Sequence, residues 1–115
     1  MKIYGVDTDH KVTPLVVRDA IIVCFRQAHA EVLKLMEECA EDMPKKEIEK
    51  MKNIEIKMIV KRAFKDAGED FDKPTKKGLV KVIGGLAKFA AQFRRPEIIK
   101  KHYKEIKILI EKIEE

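Results

Sequence analysis

Apolar residues recur every three or four positions along most of the chain, which is the spacing of helices that bury one face. The longest such segment begins at Thr13-Pro14, a pair typical of a helix N-cap followed by the first helical residue. It continues until Pro44 interrupts the pattern. The pattern therefore predicts a first helix over 14–42.

Proline and glycine residues divide the rest of the chain in the same way. Gly68 follows the second apolar segment and is a natural helix terminator, whereas Pro74-Thr75 and Pro96 open two further segments. These signals predict helices over 45–67, 75–94 and 96–114. Residues 1–12 lack helical spacing and are expected to form an extended N-terminal segment. Residues 1–115 are thus predicted to be a single all-α domain, either a four-helix bundle or a pair of helical hairpins.

Two stretches carry more apolar surface than a small bundle needs. The first helix is apolar nearly all round from Leu15 to Phe25, so three shorter helices would not easily cover it. The last helix carries a seam with alternating spacings of four and three residues, formed by Ile99, Tyr103, Ile106, Ile110 and Ile113. These stretches predict a homo-oligomer.

The composition argues against covalent catalysis. The chain has no Ser, which excludes a serine nucleophile, and its two cysteines lie fifteen residues apart in one predicted helix. That separation corresponds to about 22 Å along a helix, too far for a disulfide, so Cys24 and Cys39 are expected to be reduced, buried and inert. Charged residues make up 39% of the chain and amides are scarce, a composition typical of proteins that work at high temperature. No enzymatic activity is expected.

The length of the apolar runs bears on the cellular location of the protein. The longest unbroken run is Ala20 to Phe25, far short of a membrane span, and the first residues do not resemble a signal peptide. We therefore expect a cytoplasmic protein that does not associate with membranes. No nucleotide or cofactor motif occurs, so no cofactor is expected.

The nearest approach to a metal motif is the segment Asp7-Thr8-Asp9-His10. Two carboxylates and an imidazole are suitable metal ligands, but no second cluster at defined spacing completes a coordination shell. A polar linker before the first helix is the preferred interpretation of this segment. No metal site and no catalytic residue is predicted.

Arg18 and His29 fall inside the apolar sector of the first helix, eleven residues apart. A buried guanidinium needs a partner, and the simplest one is an acidic side chain. The alternative is an anion-binding or subunit-contact site. Arg18 and His29 are therefore a candidate buried or interface polar site.

Basic charge is concentrated in one part of the chain. Residues 73–107 contain eleven basic and two acidic side chains, a net charge of +9 in a protein whose total is +5. Four of the basic residues share one stripe of the third predicted helix, with Gly84 and Gly85 beside it: Lys77, Lys81, Lys88 and Arg95. A bare centre between lysines would let a phosphate backbone approach closely.

The stripe leaves several functions open. It is a candidate polyanion-binding site, but a solvated lysine face explains it equally well, and an acidic protein partner would use the same residues. Aromatic residues are not interleaved with it, so base stacking is unsupported. The leading interpretation is a non-enzymatic helical module for self-assembly or protein–protein interaction. The alternative is a nucleic-acid-binding accessory protein that uses segment 73–107 without reading sequence.

Overall fold

A computed structural model of the protein describes residues 2–38, 45–90 and 96–114. In these residues the chain is mostly helical and its helices pack against one another, which confirms the predicted all-α class apart from one small sheet. The elements of the described residues are β1 (Lys2–Ile3), β2 (Val6–Asp7), α1 (Pro14–Glu38), α2 (Lys45–Lys52), α3 (Ile56–Asp66), α4 (Lys76–Ala90) and α5 (Pro96–Glu111).

Four of these helices form an antiparallel bundle. Going round it, α1 contacts α3, α3 contacts α4, α4 contacts α5, and α5 contacts α1, so that α1 and α4 lie diagonally opposite. Val12, before α1, pairs with Ile113, after α5, which fixes the opposite directions of these two helices. Lys76, at the start of α4, donates to the carbonyl oxygens of Glu111 and Ile113 at 3.3 and 3.2 Å. The short helix α2 contacts α1.

The predicted helix starts are built from local hydrogen bonds. The Thr13 hydroxyl accepts from the backbone N–H of Val16 at 3.3 Å, which confirms Thr13 as the cap of α1. The Thr75 hydroxyl likewise accepts from the N–H of Gly78 at 3.0 Å and so caps α4. Gly68 lies just beyond α3 with φ 69°, the left-handed conformation that glycine adopts most easily after a helix.

The predicted helix over 45–67 is wrong in one respect, because the chain breaks into α2 and α3 around Asn53–Glu55. On a continuous helix Ile54 would point about 100° away from the stripe formed by Val60 and Phe64. The break lets Ile54 pack against Ala28, Val32 and Ile98, while α3 turns Val60 and Phe64 into the main core. Two separate apolar contacts therefore replace one straight helix.

The other helix ends differ less from the prediction. The last helix ends at Glu111 rather than at residue 114, because Ile113 leaves the helix to pair with Val12. The predicted ends of the first and third helices, 39–42 and 91–94, lie outside the described residues, as does Cys39.

The N-terminal segment folds as a β-hairpin rather than staying simply extended. Ile3 pairs with Val6, and Tyr4 and Gly5 form the two-residue turn with φ values of 50° and 82°. Positive φ at both turn positions is typical of tight hairpins, but a tyrosine in this conformation costs roughly 1–2 kcal/mol. The hairpin packs on α1 and α5, with Ile3 and Val6 in the main core.

Among residues 2–38, 45–90 and 96–114, no helix is both long and apolar enough to span a membrane.

Candidate functional site

The lysines predicted on the third helix all lie on the outside of the bundle. Lys77, Lys81 and Lys88 are exposed, and their spacings of four and seven residues place them on one side of α4. The helix carries no acidic residue that would neutralise them. We call the surface formed by these three lysines, with Gly84 and Gly85, the basic face. Arg95, the fourth predicted residue of the stripe, lies outside the described residues.

Both glycines of the basic face leave open space beside the helix. Gly84 is half-buried and Gly85 exposed, and a Cβ atom at either position would meet no atom of the described residues within 4 Å. Gly78 provides a contrast on the same helix, because a Cβ there would collide with the Glu69 carboxylate. Alanine would be about 1 kcal/mol better than glycine at each open position of a helix. Among the described residues, no close contact at Gly84 or Gly85 requires glycine in place of the more stabilising alanine.

The neighbouring helix α5 extends the positive surface. Because α4 and α5 lie side by side, their outward sides adjoin, and α5 presents exposed Lys100, Lys104 and Lys107. The Lys107 ammonium lies 4.9 Å from the ring centroid of the half-buried Tyr103. An aromatic ring therefore accompanies the lysines of α5, although the sequence places no aromatic residue within the stripe on α4.

Arg18 is bound within the chain. Its Nη1 donates to the backbone carbonyl of Phe71 at 2.8 Å, and its guanidinium carbon lies 4.5 Å from the centroid of the Phe71 ring. Its Nε and Nη2 donate to one carboxylate oxygen of Asp19 at 3.2 and 3.0 Å. These contacts tie the loop between α3 and α4 to the start of α1.

Arg18 and His29 do not share these contacts. Eleven residues of helix separate them by about 16 Å. His29 is half-buried on the same helix. The structure therefore places the two residues in separate surroundings.

The polar segment before α1 folds back on itself. The Asp7 carboxylate accepts from the backbone N–H of Asp9 at 2.9 Å, and its other oxygen lies 3.3 Å from His10 Nε2. In the part of the chain that the structure describes, no group of three or more His, Cys, Asp or Glu side chains is placed to hold a metal ion. The segment acts as a turn between the hairpin and α1.

A polar cluster that the sequence analysis did not identify lies beneath the hairpin, around the buried side chain of His102. The Tyr4 hydroxyl is 2.6 Å from His102 Nδ1, and His102 Nε2 is 3.1 Å from a carboxylate oxygen of Glu31. Since a carboxylate only accepts, Nε2 donates to Glu31; in the neutral imidazole, Nδ1 then accepts from Tyr4. The cluster joins the hairpin, α5 and α1 in one chain of hydrogen bonds.

The Tyr4 hydroxyl and the neighbouring Cys24 thiol keep their protons at neutral pH. Burial, and next the neighbouring Cys24, raise the pKa of the Tyr4 hydroxyl above its ordinary value. Burial raises the pKa of the Cys24 thiol from 9.0 to about 12, with a smaller contribution from Glu105. The thiol is fully buried and lies 3.8 Å from the backbone carbonyl of His102. Neither the Tyr4 hydroxyl nor the Cys24 thiol supplies a reactive anion near neutral pH. The chemistry of the cluster is therefore that of a structural hydrogen-bond network.

One signal in the sequence points to this cluster. His102 stands four residues after Ile98 and four before Ile106, on the side of α5 that is buried in the structure. In the predicted seam, Ile106, Ile110 and Ile113 are buried as expected, whereas Tyr103 is half-buried and its buried neighbour His102 lies outside the seam. Nothing local indicates that Tyr4, 98 residues away, is the partner of this histidine.

Comparison with known proteins adds no relative. No protein-family model matches the chain, and no curated protein or solved structure matches it.

Proposed function

We propose that the protein is a non-enzymatic helical module that binds polyanions, with nucleic acid as the first candidate, through the basic face. The observation that carries the proposal is the pair of open glycines between exposed lysines on a helix without acidic residues. A phosphate backbone can approach a bare helix surface closely while the flanking ammonium groups neutralise its charge. The lysines of α5 enlarge the same positive surface.

Such binding would not read sequence. Lysine on an exposed helix contacts phosphate as a point charge, and the surface presents no set of side chains suited to base edges. Affinity should fall steeply with salt, because each neutralised phosphate releases counterions. Four contacts, counting Arg95, correspond to a log–log slope of about −3 to −4 on duplex DNA.

Fluorescence anisotropy with short duplex and single-stranded oligonucleotides, at low and moderate salt, tests the proposal. Lys81→Gln/Lys88→Gln should lower affinity for all sequences alike and flatten the slope by about two units. Lys2→Gln/Lys11→Gln removes the same charge from exposed positions before α1, away from the basic face, and serves as the matched control. Absence of binding at low salt with tens of micromolar protein would remove the proposal, leaving the face as a solvated surface or a site for an acidic protein.

A second candidate function is self-assembly, and a different helix favours it. Leu15, Val16 and Val23 on α1 are 46%, 39% and 37% exposed, although they are large apolar side chains. Burying them against a partner would recover apolar surface that the bundle leaves in water. Light scattering at micromolar concentration should give a mass above that of one chain, and Val23→Glu should reduce it. Ile108→Glu, at a similarly exposed position on α5, is the matched control.

A further inference from the structure

From Leu15 to Lys34, before the exposed glutamates of its last turn, the exposed residues of α1 lie on one side of the helix and form a continuous surface. At about 100° per residue they fall within one third of its circumference. We call this surface the α1 face, and its exposed residues are Leu15, Val16, Asp19, Val23, Arg26, Gln27, Ala30 and Lys34. Three of the large exposed apolar residues of the described chain lie here, whereas Met58, Val80 and Ile108 lie singly on α3, α4 and α5.

The charges on the α1 face are arranged around its apolar centre. Asp19 precedes Val23 by four residues and Arg26 follows it by three. Two copies of α1 can pack antiparallel about a twofold axis beside Val23. Asp19 of each copy then lies opposite Arg26 of the other. A parallel pairing would instead place aspartate opposite aspartate and arginine opposite arginine, which is repulsive.

The charge distribution of the whole chain favours contact through α1 over contact through α4. α1 contains three basic and four acidic residues and is nearly neutral, while residues 73–107 carry a net charge of +9. Since α4 lies diagonally across the bundle from α1, contact through α1 keeps the two basic faces apart. Contact through α4 would force lysines together.

We propose that the α1 face binds the α1 face of a second copy of this chain, antiparallel about a twofold axis near Val23, with Asp19 of each copy opposite Arg26 of the other. This proposal rests on the second candidate function, self-assembly, and adds the partner, the direction and the paired charges. Closed twofold symmetry is the commonest arrangement of soluble homo-oligomers. The dimer would present its two basic faces on opposite outer sides.

A charge exchange tests the arrangement. Asp19→Arg and Arg26→Asp each place like charges opposite one another twice in the antiparallel dimer, and each should weaken dimerisation about tenfold. The double variant restores opposite charges and should return the dissociation constant to within about threefold of the original. An equimolar mixture of the two single variants should also dimerise. Analytical ultracentrifugation over a concentration series measures all four.

The double variant also controls for an effect within one chain. Asp19 accepts hydrogen bonds from Arg18, and Asp19→Arg removes them. If that loss caused the weakening, the double variant would not recover, because it lacks the same bonds. Thermal unfolding monitored by circular dichroism shows whether each variant remains folded.

The outcomes separate the two levels of the proposal. A protein that stays monomeric at every concentration overturns both self-assembly and the antiparallel dimer. A dimer that Val23→Glu dissociates, but whose affinity the single charge variants leave unchanged, overturns only the antiparallel pairing. A dimer dissociated by Ile108→Glu and not by Val23→Glu places the interface on α5 and overturns the proposal for α1.

Discussion

The outward sides of α1 and α4 lie on opposite corners of the same bundle but differ in chemistry. The α1 face combines exposed valine and leucine with one acidic and two basic residues, whereas the basic face of α4 combines lysines with bare glycine and no acid. A surface with apolar side chains and both signs of charge can complement itself. A surface with one sign of charge repels its copy and attracts the opposite charge. This difference is the reason why we propose self-association for α1 and polyanion binding for α4.

The largest expected effect comes from separating these two activities. Lys81→Glu/Lys88→Glu should lower polyanion affinity about a hundredfold at 50 mM salt, because two phosphate contacts become repulsive. The same variant should leave the dimer dissociation constant unchanged, since α4 is remote from the α1 face. Anisotropy and ultracentrifugation on the same preparations measure both quantities.

Val23→Glu is the reciprocal variant and should weaken dimerisation while the isolated chain retains its polyanion contacts. Loss of both activities in either variant would show that the two surfaces act as one site. The assignment of separate functions would then be wrong.

The next effect concerns the open glycines of α4. Gly84→Ala/Gly85→Ala should raise the free energy of unfolding by about 2 kcal/mol, because alanine is the better helix former and both positions have space for a Cβ. Gly85→Gln should weaken polyanion binding severalfold, since a long side chain would occupy the gap between lysines. Chemical denaturation and anisotropy measure the two changes.

Gly78→Ala is the control for the glycine variants and should lower stability, because its Cβ would collide with the Glu69 carboxylate. If Gly85→Gln left binding unchanged, the open glycines would not be where the polyanion approaches.

A smaller effect, on the free energy of unfolding, is expected at alkaline pH from the buried Cys24 thiol. The native state keeps the Cys24 proton up to a pKa of about 12, whereas the unfolded thiol releases it near 9.0. Stability from this group is therefore complete below pH 9.0 and is lost as the pH rises through that window, by at most about 1.4 kcal/mol per pH unit. Denaturation at pH 8 to 11 should show a shallower decline for Cys24→Ala than for the natural chain. Equal slopes for the two proteins would contradict the raised pKa.

The smallest effect is expected at the hairpin. Tyr4→Phe removes the hydroxyl that donates a hydrogen bond to His102 Nδ1. The loss should lower the free energy of unfolding by about 1 kcal/mol. Neither dimerisation nor polyanion binding should change, because the cluster lies beneath the hairpin and away from both faces. His10→Ala, at an exposed position, should alter stability by less than about 0.5 kcal/mol. An unchanged unfolding midpoint for Tyr4→Phe would show that the hydrogen bond between Tyr4 and His102 does not stabilise the hairpin.

Features that depend on neighbours a few residues away can be predicted from the amino-acid order alone. Thr13 caps α1 as predicted, Thr75 caps α4 close to the predicted start of that helix, and Gly68 follows α3, because each acts on backbone groups within one turn. The lysine stripe was visible for the same reason, since a spacing of four or seven residues fixes one side of a helix. The absence of serine needed no structure at all.

Features that join residues far apart in the chain emerge only when the helices pack together. The break between α2 and α3 depends on two separate apolar contacts, which no local spacing encodes. The pairing of Tyr4 with His102, and of His102 with Glu31, spans 98 and 71 residues. The exposure of Leu15, Val16 and Val23 depends on where the bundle places the neighbours of α1, because a helix that is apolar nearly all round does not itself specify which side remains in water.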